Sequence, residues 1–184
     1  MSFKQNVVCL WGLALSLCCG ELWAQEMVDR AVVKSGQAPF FHGVASGDPL
    51  PDAVILWTRV TPDQGISDSI PVQWMVSTDP QFSQIANFGS TFAIAEDDFT
   101  VKVDVCGLQP ATYYYYLFRA EGKNSVTGRT KTAPLGSVSN LKFGVASCSN
   151  LPNGYFNAYA DMADRHNDMD AWLHLGDYIY EYGS

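Results

Sequence analysis

Basic residues are scarce in this sequence. It has 11 lysines and arginines against 19 aspartates and glutamates, which gives a formal net charge of −8 at pH 7. Phosphate backbones and anionic lipid headgroups repel an acidic chain, so this balance argues against nucleic acid or an anionic membrane surface as a partner. No nucleic-acid-binding surface is evident. The acidic residues are spread along the chain, as on an ordinary solvated surface.

Long apolar runs are also missing. The apolar run from residue 7 to residue 17 is too short for a comfortable membrane span. With Lys4 before it and the small residue Ala24 after it, this run has the form of a secretory signal peptide. We therefore predict a signal peptide at residues 1–24, no membrane span after its removal, and a periplasmic or extracellular protein.

Cysteine is rare in the predicted mature chain. Of the five cysteines, three lie within residues 1–24, which leaves Cys106 and Cys148. Two thiols in an oxidising compartment can pair. They belong to different predicted domains, however, so we expect both to stay free and Cys106 to be buried as a small apolar side chain.

Apolar and aromatic residues are plentiful, at 47% and 13% of the chain, which suits packed cores and excludes a disordered protein. Runs rich in β-formers alternate with turn clusters along the first two thirds of the chain. The predicted strands are 40–45, 53–59, 72–77, 91–95, 99–105, 113–120 and 126–132. Strands at this spacing indicate an antiparallel sandwich.

Four consecutive tyrosines occur in the segment GLQPATYYYY at 107–116. Its spacing is the corner pattern of fibronectin type III-like domains, so we predict a fibronectin III/Ig-like β-sandwich. Side chains alternate across a strand, so Tyr114, Tyr116 and Phe118 share one face, which we predict to be the core. Trp57 is predicted to fill the same core. The alternative for the tyrosines is a stacking platform for carbohydrate or nucleic acid, but a structural tyrosine corner is the better interpretation.

The last part of the chain reads as a strand, a helix and a strand. Residues 141–147 and 170–176 are short apolar runs typical of buried parallel strands, and apolar residues recur at helical spacing between them. Cys148 follows the first strand, and Asp177 follows the second. Ligands of open α/β sheets bind at the carboxyl ends of parallel strands, so we expect both residues at one edge, with Tyr180 close by.

Thiolate, carboxylate and phenolate form a coherent set of metal ligands. A metal-bound thiolate or phenolate must have lost its proton, which favours an oxidised ion such as ferric iron, and Asp177 can share a second, hard divalent ion. Two such ions clamp a phosphate ester and activate water. The alternatives are that Cys148 is a buried small residue and Asp177 a turn residue. His174 either orients a ligand or is a hydrogen-bonded core histidine.

Two segments resemble a known family. FGVASCSN, followed further along the chain by HLGDYIYEYG, resembles the start of the metallophosphatase domain of the alkaline phosphatase D (PhoD-like) family, and FHGVASGDPLPDAVILWTRVTP at 41–62 is similar to its N-terminal domain. The resemblance implies that Cys148, Asp177 and Tyr180 bind metal, that the cofactors are Fe3+ and Ca2+, and that the substrate is a phosphate mono- or diester. It also implies that an α/β calcineurin-like metallophosphatase domain follows the sandwich.

The predicted organisation is that of an N-terminal portion. We predict a signal peptide at 1–24, an extended arm at 25–37, a PhoD-type β-sandwich at 38–134 and a partial metallophosphatase domain at 140–184. The family's chemistry needs further ligands, so we expect a secreted phosphatase or phosphodiesterase when full length and an inactive fragment. The alternative is a non-catalytic extracellular binding module with a remnant phosphatase segment.

Overall fold

The computed structural model describes residues 37–62, 68–150, 155–178 and Tyr180. The predicted signal peptide at 1–24 and the predicted extended arm, except for Gln37, lie outside the described residues. Within the described ranges, no helix is both long enough and apolar enough to cross a membrane.

Short β-strands make up most of the described chain. In order, they are β1 (Val44–Gly47), β2 (Ala53–Arg59), β3 (Ser69–Ser77), β4 (Ile85–Ile94), β5 (Thr100–Cys106), β6 (Tyr113–Ala120), β7 (Lys123–Asn124) and β8 (Gly128–Lys131). One turn of 3-10 helix, Ala95–Asp97, lies between β4 and β5. β4 begins well before the predicted residue 91, because pairing with β3 along its length overrides the weak strand propensity of Asn87 and Gly89.

These strands form two antiparallel sheets. One sheet has the order β1-β2-β5, and the other has the order β4-β3-β6, with β7 and β8 each pairing with a different part of β6. Side chains from both sheets meet in one core, which includes Val54 and Leu56 of β2 and Val72 and Val76 of β3. The predicted β-sandwich is confirmed, and its finer assignment to the fibronectin III/Ig-like type stays a prediction.

The tyrosine-rich strand β6 alternates as predicted. Tyr114, Tyr116 and Phe118 are buried, and the Tyr114 hydroxyl accepts a hydrogen bond of 2.8 Å from the backbone N–H of Gln109. This is the geometry of a tyrosine corner. The Thr132 hydroxyl donates to the carbonyl of Gln109 at 2.6 Å. The backbone N–H and the carbonyl of Gln109 are therefore both hydrogen-bonded to buried side chains.

Two side chains of the sandwich lie on the opposite face from the one predicted. The prediction that Trp57 fills the core is wrong: Leu56 and Thr58 occupy inward positions of β2, so the alternation of side chains places Trp57, half-buried, on the outer face. The prediction that Cys106 is buried is also wrong. Val105 takes the inward position of β5, and Cys106 is an exposed free thiol.

The turn between β3 and β4 is built on Asp79. Its carboxylate accepts backbone hydrogen bonds from Gln81 at 2.9 Å, Ser83 at 3.2 Å and Gln84 at 2.8 Å. Desolvation by itself raises the pKa of Asp79. The backbone N–H groups and the Ser77 hydroxyl outweigh that effect and lower the pKa to about 2, because they stabilise the charged carboxylate.

A β-α-β unit follows the sandwich. It consists of β9 (Phe143–Ala146), α1 (Asn157–Asp164), a 3-10 turn (His166–Asp168) and β10 (Ala171–His174), with β9 and β10 parallel. Gly144 allows the close packing of β9, since a Cβ there would lie 2.6 Å from the sulfur of Met169 and 3.0 Å from that of Met162. The predicted order of strand, helix and strand is confirmed, with both strands shorter than predicted.

Side chains of β6 and β8 tie the sandwich to this unit. Lys131 forms an ion pair with Asp170, and Arg129 donates hydrogen bonds to the turn after α1. Both cations lie over the ring of Tyr113: the guanidinium of Arg129 is 4.2 Å from the ring centroid, and the ammonium of Lys131 is 4.8 Å from it. Asp170 also accepts the backbone N–H of Lys142 at 2.9 Å, so its carboxylate joins β8 to the start of both parallel strands. The Lys131 ammonium holds the pKa of Asp170 below its ordinary value.

Candidate metal centre

The carboxyl ends of β9 and β10 carry the candidate site. The two segments stay in contact beyond the strands, because the N–H of Leu175 donates to the carbonyl of Ala146 at 2.9 Å and the N–H of Cys148 donates to that of Gly176 at 3.3 Å. Cys148 and Asp177 therefore arrive at the same edge of the sheet. This is the edge at which open α/β sheets bind ligands.

Cys148, Asp177 and Tyr180 come together around one atom. The thiol of Cys148 donates to Oδ2 of Asp177 at 3.5 Å, and the Tyr180 hydroxyl donates to the same oxygen at 3.0 Å. The structure thus brings together the three residues that the sequence singles out as ligands. That they bind a metal stays a prediction.

The backbone at this edge is strained. Cys148 and Asp177 both adopt the left-handed conformation, with φ of 54° and 50°. For a non-glycine residue this conformation costs about 1–2 kcal/mol. Eight further non-glycine residues of the described chain also have positive φ, so this conformation does not by itself mark the site. Here it accompanies the meeting of the two side chains at the strand ends.

The contacts of Tyr180 favour its protonated form. Its hydrogen bonds, first with Cys148 and then with Asp177, raise the pKa of the phenol above its ordinary value of 10.0, because both neighbours stabilise the neutral hydroxyl. A cation bound among these three groups acts in the opposite sense and favours thiolate and phenolate. Protons and a metal ion therefore compete for the same donors.

The donor set fits a particular class of ion. Thiolate and phenolate suit an oxidised, strongly Lewis-acidic ion such as Fe3+, and a carboxylate suits either that ion or a hard cation such as Ca2+. Cys148 and Asp177 are exposed, and Tyr180 is half-buried, so an ion can approach from solvent. Among the residues that the structure describes, no three or more His, Cys, Asp or Glu side chains form a metal-binding group. Tyr180 is the third candidate donor at this edge.

His174 contacts the turn that leads to Asp177. Its Nε2 lies 2.7 Å from the hydroxyl of Tyr159 in α1, and its Nδ1 accepts the backbone N–H of Gly176 at 3.3 Å. It is half-buried. These contacts fit the interpretation of His174 as a hydrogen-bonded histidine. One of its two partners, Gly176, belongs to the loop of the candidate centre.

A cavity of about 430 Å³ lies between β8 and the β-α-β unit. Its walls include the rings of Tyr159, Trp172 and Tyr178 and the cations of Arg129 and Lys131. Several of its described lining residues lie at the start of β10, and it is not lined by Cys148, Asp177 or Tyr180. Neither Arg129 nor Lys131 is predictable from the sequence as part of this cavity, because contacts between residues so far apart in the chain leave no local pattern.

Two family models match this chain. A model described as PhoD-like phosphatase, N-terminal domain, matches residues 25–134, and a model described as PhoD-like phosphatase matches residues 143–184. The first matched segment contains the sandwich, and the second contains the β-α-β unit with Cys148, Asp177 and Tyr180.

Individual relatives agree with these models. The chain is similar to alkaline phosphatase D of Bacillus subtilis (strain 168), with 43% identity in an alignment of 188 positions that covers 98% of this chain and 32% of the relative. It is also similar to a solved structure of PhoD, with a TM-score of 0.73 and 42% identity over 80% of this chain and 29% of that one. The chain thus spans about a third of the length of the relatives it matches.

Proposed function

Because the chain belongs to the PhoD-like phosphatase family, we propose that the full-length protein is a metal-dependent alkaline phosphatase or phosphodiesterase that hydrolyses phosphate mono- or diesters. The observation that carries this proposal is the convergence of Cys148, Asp177 and Tyr180 on one carboxylate oxygen at the ends of two parallel strands. Three different donor types at one such edge suit a metal centre better than a packing role.

In this proposal, Cys148 and Tyr180 would hold Fe3+, and Asp177 would be a ligand that Fe3+ and Ca2+ share. Bound there, the two ions supply Lewis acidity toward the phosphate and toward a water molecule. The carboxylate of Asp177 lies within hydrogen-bonding distance of the Cys148 thiol and the Tyr180 hydroxyl, so it would be available to both ions. Its negative charge offsets part of the repulsion between the ions.

The chain's own residues prepare this site. The left-handed turns at Cys148 and Asp177 bring their side chains together before an ion binds, which lowers the cost of ordering them. The thiol and phenol hydrogens leave when the ion binds.

Metal analysis of a matched pair of cysteine variants tests the proposal. Cys148→Ala in the full-length protein should lose iron and most hydrolysis of chromogenic phosphate esters, whereas Cys106→Ala should keep both, because Cys106 is a free exposed thiol at the end of β5. Equal iron content in wild type and Cys148→Ala would reject the ligand role. Undiminished hydrolysis after removal of all metal would reject a metal-dependent reaction.

Export is part of the same proposal. Residues 1–24 act as a signal peptide, and the mature protein is periplasmic or extracellular. N-terminal sequencing of the protein recovered outside the cytoplasm should begin at Gln25. Recovery of the protein only from the cytoplasm, with residues 1–24 retained, would contradict export.

The proposed domains are a PhoD-type β-sandwich at 38–134 and part of an α/β calcineurin-like metallophosphatase domain at 140–184. A dinuclear centre needs more ligands than Cys148, Asp177 and Tyr180, so residues 1–184 alone are expected to be inactive. No observation among the described residues favours the alternative of a non-catalytic binding module.

A further inference from the structure

The backbone of Gly176 connects His174 to the candidate centre. Its N–H donates to Nδ1 of His174 at 3.3 Å, and its carbonyl accepts the N–H of Cys148 at 3.3 Å. With φ of 110°, Gly176 has a conformation that other residues rarely adopt, and Asp177 follows it directly. One short turn therefore joins the histidine to two of the three donors.

The hydrogen bonds of His174 define its tautomer. Because Nδ1 accepts the N–H of Gly176, the ring proton lies on Nε2, which donates to the Tyr159 hydroxyl at 2.7 Å. Three aromatic rings surround the imidazole, with centroids at 5.0 Å for Tyr178, 5.8 Å for Trp172 and 6.0 Å for Tyr159. Helix α1 and these rings thus hold the imidazole with its acceptor nitrogen toward Gly176.

We propose that His174 is a positioning residue that holds the turn at Gly176, so that Cys148 and Asp177 meet, and thereby sets the metal affinity of the centre. This inference rests on the proposed metal function. Groups that orient metal ligands without touching the metal contribute about 10–100-fold to metal affinity. A histidine that only filled the space between the rings would change stability but would not change metal affinity separately.

Two substitutions of His174 separate these roles. His174→Asn keeps an acceptor oxygen near the position of Nδ1, within reach of the Gly176 N–H. His174→Gln places its amide near the position of Nε2, so it keeps a partner for Tyr159 and loses the acceptor. In chelator competition with the full-length protein, the Gln variant should bind Fe3+ about 10–100-fold more weakly, and the Asn variant should keep most of the wild-type affinity.

Melting temperatures of the metal-free variants control for packing, because both lack the imidazole ring. Tyr159→Phe is a milder second variant, since it keeps every ring and removes only the hydroxyl that orients Nε2. It should weaken iron binding less than His174→Gln does. Equal loss of iron affinity in both His174 variants, or no loss in His174→Gln, would overturn the positioning role.

Cys148→Ala, assayed in the same way, tests the metal function separately. If it binds iron as wild type does, the proposed function fails and the positioning role fails with it. If it loses iron while His174→Gln does not, the metal function stands and only the positioning role is overturned.

Discussion

Replacing Tyr114 with Phe isolates one hydrogen bond of the sandwich. Tyr114 is 2% exposed, and its hydroxyl accepts the backbone N–H of Gln109 at 2.8 Å. Leaving such a group unpaired costs about 1–3 kcal/mol. Gln109 is itself exposed, so water can partly replace the partner, and we expect a loss of about 1–2 kcal/mol in the free energy of unfolding. For a domain of this size, the melting temperature should fall by roughly 4–16 °C.

Urea and thermal unfolding of residues 25–133, followed by circular dichroism, measures this loss. Tyr115→Phe is the matched control, because it removes a hydroxyl from the other face of the same strand. Thr132→Val removes the hydroxyl that donates to the Gln109 carbonyl, and the double variant with Tyr114→Phe should be non-additive by about 0.5 kcal/mol or more. Equal losses in Tyr114→Phe and Tyr115→Phe would refute a stabilising role for the corner.

Asp177→Asn in the full-length protein keeps the side-chain shape but removes the charge of the proposed bridging carboxylate, so turnover of a chromogenic phosphate ester should fall by orders of magnitude at every calcium concentration. Near-wild-type turnover without added metal would show that Asp177 is only a turn residue. Residues 25–133 alone should melt cooperatively by circular dichroism, whereas residues 140–184 alone should not, because a lone β-α-β unit buries too little apolar surface. An absence of cooperative melting in residues 25–133 would mean that the sandwich depends on residues 140–184 for its core. The folded-state pKa of Asp79 is depressed to about 2, so its contribution to stability should be complete above its ordinary pKa of 3.8 and disappear as the pH falls toward 2; an NMR titration of Asp79 near 3.8 would contradict this.

The contacts between the sandwich and the β-α-β unit bear on these experiments. Lys131 and Arg129 reach from β8 to the turn after α1 and to Asp170, at the start of β10. Asp177 lies beyond the other end of the same strand. The sandwich is therefore in a position to brace the strand that carries a proposed metal ligand, which gives a structural reason for the two matched segments to occur together.

Sequence alone determined the features that depend on local periodicity. Alternation along β6 was enough to place Tyr114, Tyr116 and Phe118 on one buried face, because successive side chains of a strand point to opposite sides. The strand, helix and strand order was enough to bring Cys148 and Asp177 to one edge, because parallel strands end on the same side of their sheet.

Tertiary structure alone decided which face of a strand turns inward and which distant residues meet. Trp57 is as apolar as a core residue, but the packing of β2 and β5 against the second sheet turned Leu56 inward and left Trp57 outside. The pairing of Lys131 with Asp170 and the contact of His174 with Tyr159 likewise have no sequence signature. Periodicity records which residues share a face, whereas the packing of whole sheets and helices selects the face that is buried and the neighbours that it meets.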